Sequence, residues 1–498
     1  MTEIPDQDQI PEISARDYSV QDYLKKVKAG KIDVVMYVQK ALEKAREYDQ
    51  KYHFFTTICA ERALQQAKEI QLKVKHQTAG RLAGLLISVK DNICVKGVES
   101  TAGSRILKGY TPLFNATAIE RLEKEDAIII GKTTQDAFGF GSFNINVGLG
   151  NAVPLNPLDI RRTTGGSSGG AAGMTAAADF VHVALAESTG GSVEAPASFC
   201  GVVGFCPTYG KISRYGLISY ADSLDKIGIM SKNVEDVVPV LEIISGFDEM
   251  DGTALADESE HNAKKTKRTI RKIGVLNSSF DKNVSPAIQS ALREIQEKLQ
   301  EKGCSVEEVS LPITSKYGIA AYYILSTAEA STNLARFCGL RYGQEASVKG
   351  KSFSEYFTEI RSQNFNEESK RRIILGTFTR MAGYRDAYYL KAAKARSKII
   401  AEYKKLFETY DLLISPTMPL VAPTFAEIGK LTPLQHYLMD ILTVGPNLAG
   451  IPHASIPIGF SEDMPIGLMV MADQREEEKL LQFLALVEEA VQKRNERA

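Results

Sequence analysis

A chain of 498 residues carries about three domains' worth of sequence by a soft length prior, and its 44% hydrophobic and 24% charged content is ordinary for a soluble globular protein. A formal net charge of −1 gives no global field toward nucleic acid or membrane, and no run approaches the ~18 apolar residues of a membrane span. Six scattered cysteines (Cys59, Cys94, Cys200, Cys206, Cys304, Cys338), none at CxxC spacing, predict buried free thiols rather than a disulfide framework or zinc site, and the acidic N-terminus predicts no secretory leader, so a reducing cytoplasm is expected.

Residues 19–48 read as two amphipathic helices broken at Gly30, and residues 60–75 as a third. The apolar run LAGLLISV then ends at Lys90-Asp91-Asn92, the pattern of a buried strand delivering polar groups at its C-terminal end. A helix around 117–125 precedes a second such strand, AIIIGKT (127–133). From 145 to 200 Gly, Ser, Thr and Ala dominate, which suits backbone approaching a ligand. Residues 250–272 read as a linker, and the basic run Lys264–Lys272 reads as a solvated connector more readily than as a nucleic-acid patch, having no aromatics. Strand KIGVL (272–276), helix 285–302, a mainly helical stretch 315–410, strands LLISPT (412–417) and ASIPIGF (454–460), and helix 477–495 follow. Alternating helices and short apolar runs argue an α/β fold.

Three stretches carry chemistry: Lys90 at a strand end, Thr-Thr-Gly-Gly-Ser-Ser-Gly-Gly (163–170) before an Ala-rich helix, and Glu-Ser-Thr-Gly-Gly-Ser (187–192) after VHVALA. No lysine follows the glycines of the first loop as a phosphate-binding P-loop requires, and no GxGxxG follows a strand. Gly165–Gly169 matches GxSxG, but the residues before it, NPLDIRRTT, are no strand, so the match reads as a by-product of Gly/Ser richness. None of the six histidines (His53, His76, His182, His261, His436, His453) lies in a loop of catalytic composition; His182, near Ser192 in sequence, reads as core, and a Ser–His–Asp triad stays a minor alternative. A serine needs a base, and a lysine serves if burial brings it to the neutral amine. An apolar strand leading into Lys90 fits that route, while a salt-bridged lysine at a strand end is the competing reading.

Together these stretches resemble the amidase signature family, with Lys90 in SVKDN, Ser167 in GGSSGG and Ser192 in STGGSVEAPASFCGVVGFCPTYG. SRYGLISYADSLDKIG (213–228), AAYYILSTAEASTNLARFCGLRYG (320–343), KRRIILGTF (370–378), YRDAYYLKAAKAR (384–396) and YLMDILTVGPNLAGIPHASIP (437–457) are similar to the A subunits of tRNA-dependent amidotransferases within that family. The resemblance implies a central mixed β-sheet covered on both faces by α-helices. It divides the chain into an N-terminal helical segment (1–75) packed on an amidase signature domain (76–498) with a mainly helical insertion around 315–410.

It also implies roles by position. Ser192 is the nucleophile, Ser167 (or Ser168) the cis-serine relay, and Lys90 the base; Lys90→Ala is expected to abolish hydrolysis and leave the fold intact. The N–H groups of Thr189, Gly190, Gly191 and Ser192 form the oxyanion hole. Tyr323 (or Tyr322), Arg372 (or Arg371) and Asp440 grip glutamine, Arg forking the α-carboxylate and Asp accepting from the α-ammonium. The implied activity is glutamine hydrolysis supplying ammonia for Gln-tRNA or Asn-tRNA. The implied partners are the B and C subunits of the amidotransferase, with aminoacyl-tRNA bound mainly through the B subunit, which also uses ATP and Mg; no metal or cofactor is expected in this chain. A free-standing amidase and a catalytically silent scaffold are the alternatives.

Three departures stand out. Many members read Asp-Thr-Gly-Gly-Ser-Ile-Arg where this chain has Ser188-Thr-Gly-Gly-Ser192-Val193-Glu194, so the usual ion pair is absent or rebuilt. The Ser167–Ser192 spacing of 25 is one longer than common. Cys338 stands where the A subunits usually have Asp.

Overall fold

The protein is described by a computed structural model covering residues 19–148, 150–256 and 270–495. Eleven strands among the described residues join in one mixed sheet. They are β1 (Phe55–Ile58), β2 (Leu86–Lys90), β3 (Ile128–Thr133), β4 (His182–Ser188), β5 (Val203–Cys206), β6 (Lys226–Ser231), β7 (Lys272–Leu276), β8 (Ser305–Val309), β9 (Leu412–Pro416), β10 (His453–Ser461) and β11 (Met464–Met471). Their order across the sheet is β1-β3-β2-β4-β6-β5-β10-β11-β9-β7-β8. Strands β3-β2-β4 and β9-β7-β8 are parallel, the centre from β4 to β9 is antiparallel, and β1 joins β3 antiparallel at one edge.

Helices cover both faces, and β4 shows why. Its side chains alternate across the sheet. Val183 and Leu185 enter the large core, while Ala184 and Ala186 enter a smaller one beneath helices Gly169–Ala177 and Glu194–Cys200. A strand buried on both sides has to be apolar throughout, which is how VHVALA reads. The Ala/Gly composition of helix Gly169–Ala177 lets it lie close against the sheet.

A third core supports the other side of the site. Phe138, Phe140, Tyr220, Tyr322, Leu325 and Ile399 pack there, beneath helices Pro312–Asn333, Glu367–Arg380 and Tyr389–Phe407. Asn366 caps the second of these by accepting from the Ser369 N–H, which fixes where its first turn begins and hence where Arg372 projects.

The segment 1–75 is not purely helical: Phe55–Ile58 forms the edge strand β1, antiparallel to β3. Strands β5, β6, β8 and β11 were also not evident from sequence. β8, Ser-Val-Glu-Glu-Val, is an exposed edge strand, and β11 is interrupted by Pro465 and Gly467. Of the expected linker, 257–269 lie outside the described residues. Its start is anchored: Asp251 is buried and accepts from the Arg214 N–H at 2.8 Å. Five cysteines are buried free thiols and Cys338 is half-buried. Among the described residues, no helix is long and apolar enough to cross a membrane.

Candidate active site

β2 and β4 are parallel neighbours, so Lys90 and Glu187-Ser188 emerge at the same edge of the sheet. The loop 163–168 meets them there. Its Gly166 lies against the loop 136–144, where an added Cβ would come within 2.2 Å of Asp136 Oδ2 and 2.6 Å of the Asn144 amide. Any larger residue would push the loop away from Lys90. The Gly166–Ser167 peptide is cis.

Lys90 Nζ donates to Ser167 Oγ at 2.8 Å, to the Glu187 carbonyl at 2.9 Å and to Glu187 Oε2 at 2.9 Å. Both Lys90 and Glu187 are fully enclosed. The strand-end lysine is thus buried rather than exposed, and removing such a cation from its carboxylate costs about 3–5 kcal/mol. Of the two candidate relays, Ser167 touches Lys90, whereas Ser168 Oγ donates to the Glu187 carbonyl at 3.1 Å. Ser192 is 7% exposed and lines a small cavity.

Gly190, Gly191 and Ser192 of the turn 189–192 line this cavity. The amides of Gly190 and Ser192 have no acceptor among the described residues, while the Gly191 N–H donates to Ser188 Oγ at 3.1 Å. Behind the turn, Ser188 Oγ donates to Glu194 Oε2 at 3.0 Å, and Glu194 Oε1 is 2.5 Å from His453 Nε2. Burial pushes the Glu194 carboxyl up, but His453 and Lys226 more than offset this and hold it at about 2. The usual ion pair near Ser192 is replaced by this buried Glu194–His453 contact, in which burial, aided by Lys226, lowers His453 toward the neutral ring. His182 is core, its ring 2.9 Å from Ser88 Oγ and held neutral by burial.

The substrate-gripping candidates converge on the same cavity. Tyr322, Tyr323, Arg372 and Asp440 all line it. Tyr323 OH and Ser142 Oγ each donate to Asp440 at 2.6 Å. Burial raises the Asp440 carboxyl, and these hydroxyls and Arg372 counter the rise. Arg372 is buried among Phe140, Tyr220, Tyr323 and Tyr437 at 4.9–5.6 Å. Its Nε donates to Glu368 at 2.8 Å and Nη1 to Tyr220 OH at 2.6 Å. Burial opposes its charge, but Tyr220 and Glu368 keep it cationic. Arg371 lines only the adjoining outer cavity and pairs with Glu368. Both tyrosines belong to the pocket, while of the two arginines only Arg372 reaches the inner cavity.

Sequence reasoning missed Glu187, Asp225, Glu368 and His453. Glu187 was the most findable, as a lone acid closing an apolar strand beside the Ser192 motif.

The chain matches the family model described as Amidase over residues 36–481. It is 42% identical to a glutamyl-tRNA(Gln) amidotransferase A subunit (the one numbered 2) of Clostridium acetobutylicum, across 91% of this chain and 94% of that one. It is 41% identical to the glutamyl-tRNA(Gln) amidotransferase A subunit of Oceanobacillus iheyensis, across 97% and 99%. The crystal structure of the Thermotoga maritima glutamyl-tRNA(Gln) amidotransferase A subunit superposes with a TM-score of 0.74 at 32% identity, covering 94% of this chain and 93% of that one. With fold, site and sequence in agreement along nearly the whole length, the chain belongs to the amidase family.

Proposed function

We propose that this chain is the glutamine-hydrolysing A subunit of a tRNA-dependent amidotransferase. Ser192 is its nucleophile, Ser167 its relay and Lys90 its base. The observation that carries the reading is the 2.8 Å contact between Lys90 Nζ and Ser167 Oγ, one residue on from Gly166, which lines the same cavity as Ser192, Arg372 and Asp440.

Ser192 attacks the side-chain amide as its proton passes through Ser167 to Lys90. The oxyanion rests on amides of the 189–192 turn, and those of Gly190 and Ser192 are free to donate to it. The proton returns along the relay to the departing ammonia, and water then cleaves the glutamyl ester. Asp440 receives the α-ammonium and Arg372 the α-carboxylate. Ammonia passes to the B subunit of the complex, which uses ATP and Mg to activate a mischarged aminoacyl-tRNA, and a small C subunit holds the two together in the cytoplasm. The division 1–75 and 76–498 belongs to the same reading.

The test is purification of the chain from its source cells, followed by ammonia release from glutamine. The expected result is co-purification with two further subunits and stimulation by Glu-tRNA(Gln) or Asp-tRNA(Asn). Full activity of the lone chain on simple amides would point to a free-standing amidase. Intact complex with no ammonia release would point to a silent scaffold.

A further inference from the structure

Lys90 Nζ is surrounded by three acceptors at 2.8–2.9 Å, one for each N–H of an ammonium. To act as a base Lys90 must first give up one of those protons. Its side chain is fully enclosed, so none faces solvent. A backbone carbonyl cannot keep a proton, and Ser167 is the group whose proton Lys90 must later receive. Glu187 Oε2 remains, at 2.9 Å.

Glu187 has a second connection. Thr189 Oγ1 lies 2.8 Å from Glu187 Oε1 and 2.8 Å from Asp225 Oδ1. A hydroxyl has one hydrogen, so one of these two carboxyls must carry a proton and donate to it. Burial beside Glu187 pushes Asp225 well above the usual carboxylate range, which makes it the protonated member. Thr189 then donates to Glu187 Oε1. With Asp225 neutral, a single negative charge faces a single positive one in a dry setting. Moving one proton from Lys90 to Glu187 removes both charges, so in a low-dielectric interior the neutral pair lies within reach of the resting ion pair.

We infer that Glu187 is the proton acceptor that unmasks Lys90 as the base. This rests on the reading of Lys90, Ser167 and Ser192 given above. The Lys90 Nζ–H bond breaks and the Glu187 Oε2–H bond forms, so ammonium and carboxylate become amine and carboxylic acid. A turn about the Cε–Nζ bond brings the freed lone pair from Glu187 to Ser167, where it takes the Ser167 proton as Ser167 takes that of Ser192. Glu187 keeps its proton through acylation and deacylation while Lys90 alternates between amine and ammonium. Asn92 Nδ2, at 3.1 Å from Glu187 Oε2, holds the carboxyl in place throughout. Other charged groups facing the cluster are Asp136, which burial pushes up to about 6 while Lys90 and Arg372 pull it down, and Arg214, which acts on Asp225.

The test is the rate at which phenylmethanesulfonyl fluoride labels Ser192 as a function of pH, mapped by peptide mass. It is carried out on the purified protein with any subunits that accompany it, and does not depend on which amide is the substrate. The wild-type rate is expected to stay flat from about pH 6 to about pH 9, because the proton moves inside the site; a bare lysine would titrate far higher, near 10.4. A rate climbing tenfold per pH unit across that range overturns the proposal, since Lys90 would then be losing its proton to solvent. In Glu187→Gln the acid limb should rise by at least about one pH unit, and Glu187→Asp should restore the flat profile at a lower rate. A limb that is unmoved in Glu187→Gln, or that moves to lower pH, also overturns it. Labelling away from Ser192 defeats the triad and this step together; labelling on Ser192 with the wrong pH profile defeats this step alone.

Discussion

Gly190 is the tightest point of the turn that carries the reactive serine. A Cβ built there meets Tyr322 Cζ at 2.3 Å, its hydroxyl oxygen at 2.5 Å and Cε2 at 2.6 Å. Ordinary carbon–carbon contact is about 3.5–4.0 Å, so Gly190→Ala overlaps the ring by more than about 1 Å. Tyr322 cannot swing away easily, being buried and packed edge-on to Tyr323 at 4.9 Å between centroids. The backbone must therefore give, carrying with it the Gly190 amide assigned to the oxyanion. A displacement near 1 Å in catalytic geometry costs on the order of 100-fold, or ~2.7 kcal/mol at the transition state. The assay is steady-state ammonia release from glutamine, with a melting curve to confirm folding. A fall in kcat of roughly that size is expected. Adding Tyr322→Ala should recover part of it, because the same ring creates both the clash and the loss. A folded Gly190→Ala protein that turns over within threefold of wild type would refute the reasoning.

Other substitutions probe separate parts of the site. Ser167→Ala removes the relay and should lower kcat by roughly 10³-fold without altering the melting temperature much, read in the same assay. Asp440→Asn keeps the size but loses the charge meant for the α-ammonium; hydrogen bonds to charged groups are worth about 1.5–3 kcal/mol, so KM for glutamine should rise roughly 10–100-fold while kcat stays near wild type. Lys90→Met should lose activity while keeping more stability than Lys90→Ala, which adds a hole to the unpaired Glu187; the comparison is by thermal melting. His182 supplies a pH prediction. Burial and Lys232 lower it from 6.5 to about 3, so between these values the unfolded chain binds the extra proton. Stability from this group is fully present above pH 6.5 and is lost as pH falls toward 3, at up to ~1.4 kcal/mol per pH unit. His182→Gln should therefore flatten the acid side of a melting-temperature profile taken between about pH 6.5 and 4.5.

The sequence-legible parts were those with a one-dimensional signature. LAGLLISV and AIIIGKT announced buried strands, and β2 and β3 are buried throughout. Helix 60–75 was recognisable from its apolar spacing and is found at Ala60–Lys75. Lys90 and Ser167, 77 residues apart, are brought into contact because β2 ends where the Gly-rich loop crosses. What sequence could not supply was pairing between distant polar groups. Glu194 and His453 are 259 residues apart in the chain, and only the register of β10 against β5 sets His453 beside Cys206 and behind Ser188. Glu187 stood in plain view, but its side chain could have turned to solvent. Its role depends on the parallel pairing of β2 with β4, which points it at Lys90. The short strands β1 and β5 were missed for a related reason: four residues are too few for a period to show.

The central claim is that Ser192 forms a covalent glutamyl ester. It is tested most directly by quenching the purified protein with acid during turnover of glutamine and mapping the modified peptide by mass. The account predicts a glutamyl adduct on Ser192, its amount falling in Ser167→Ala as acylation slows. An adduct on another residue, or ammonia release with no adduct on Ser192 under any quench time, would contradict it.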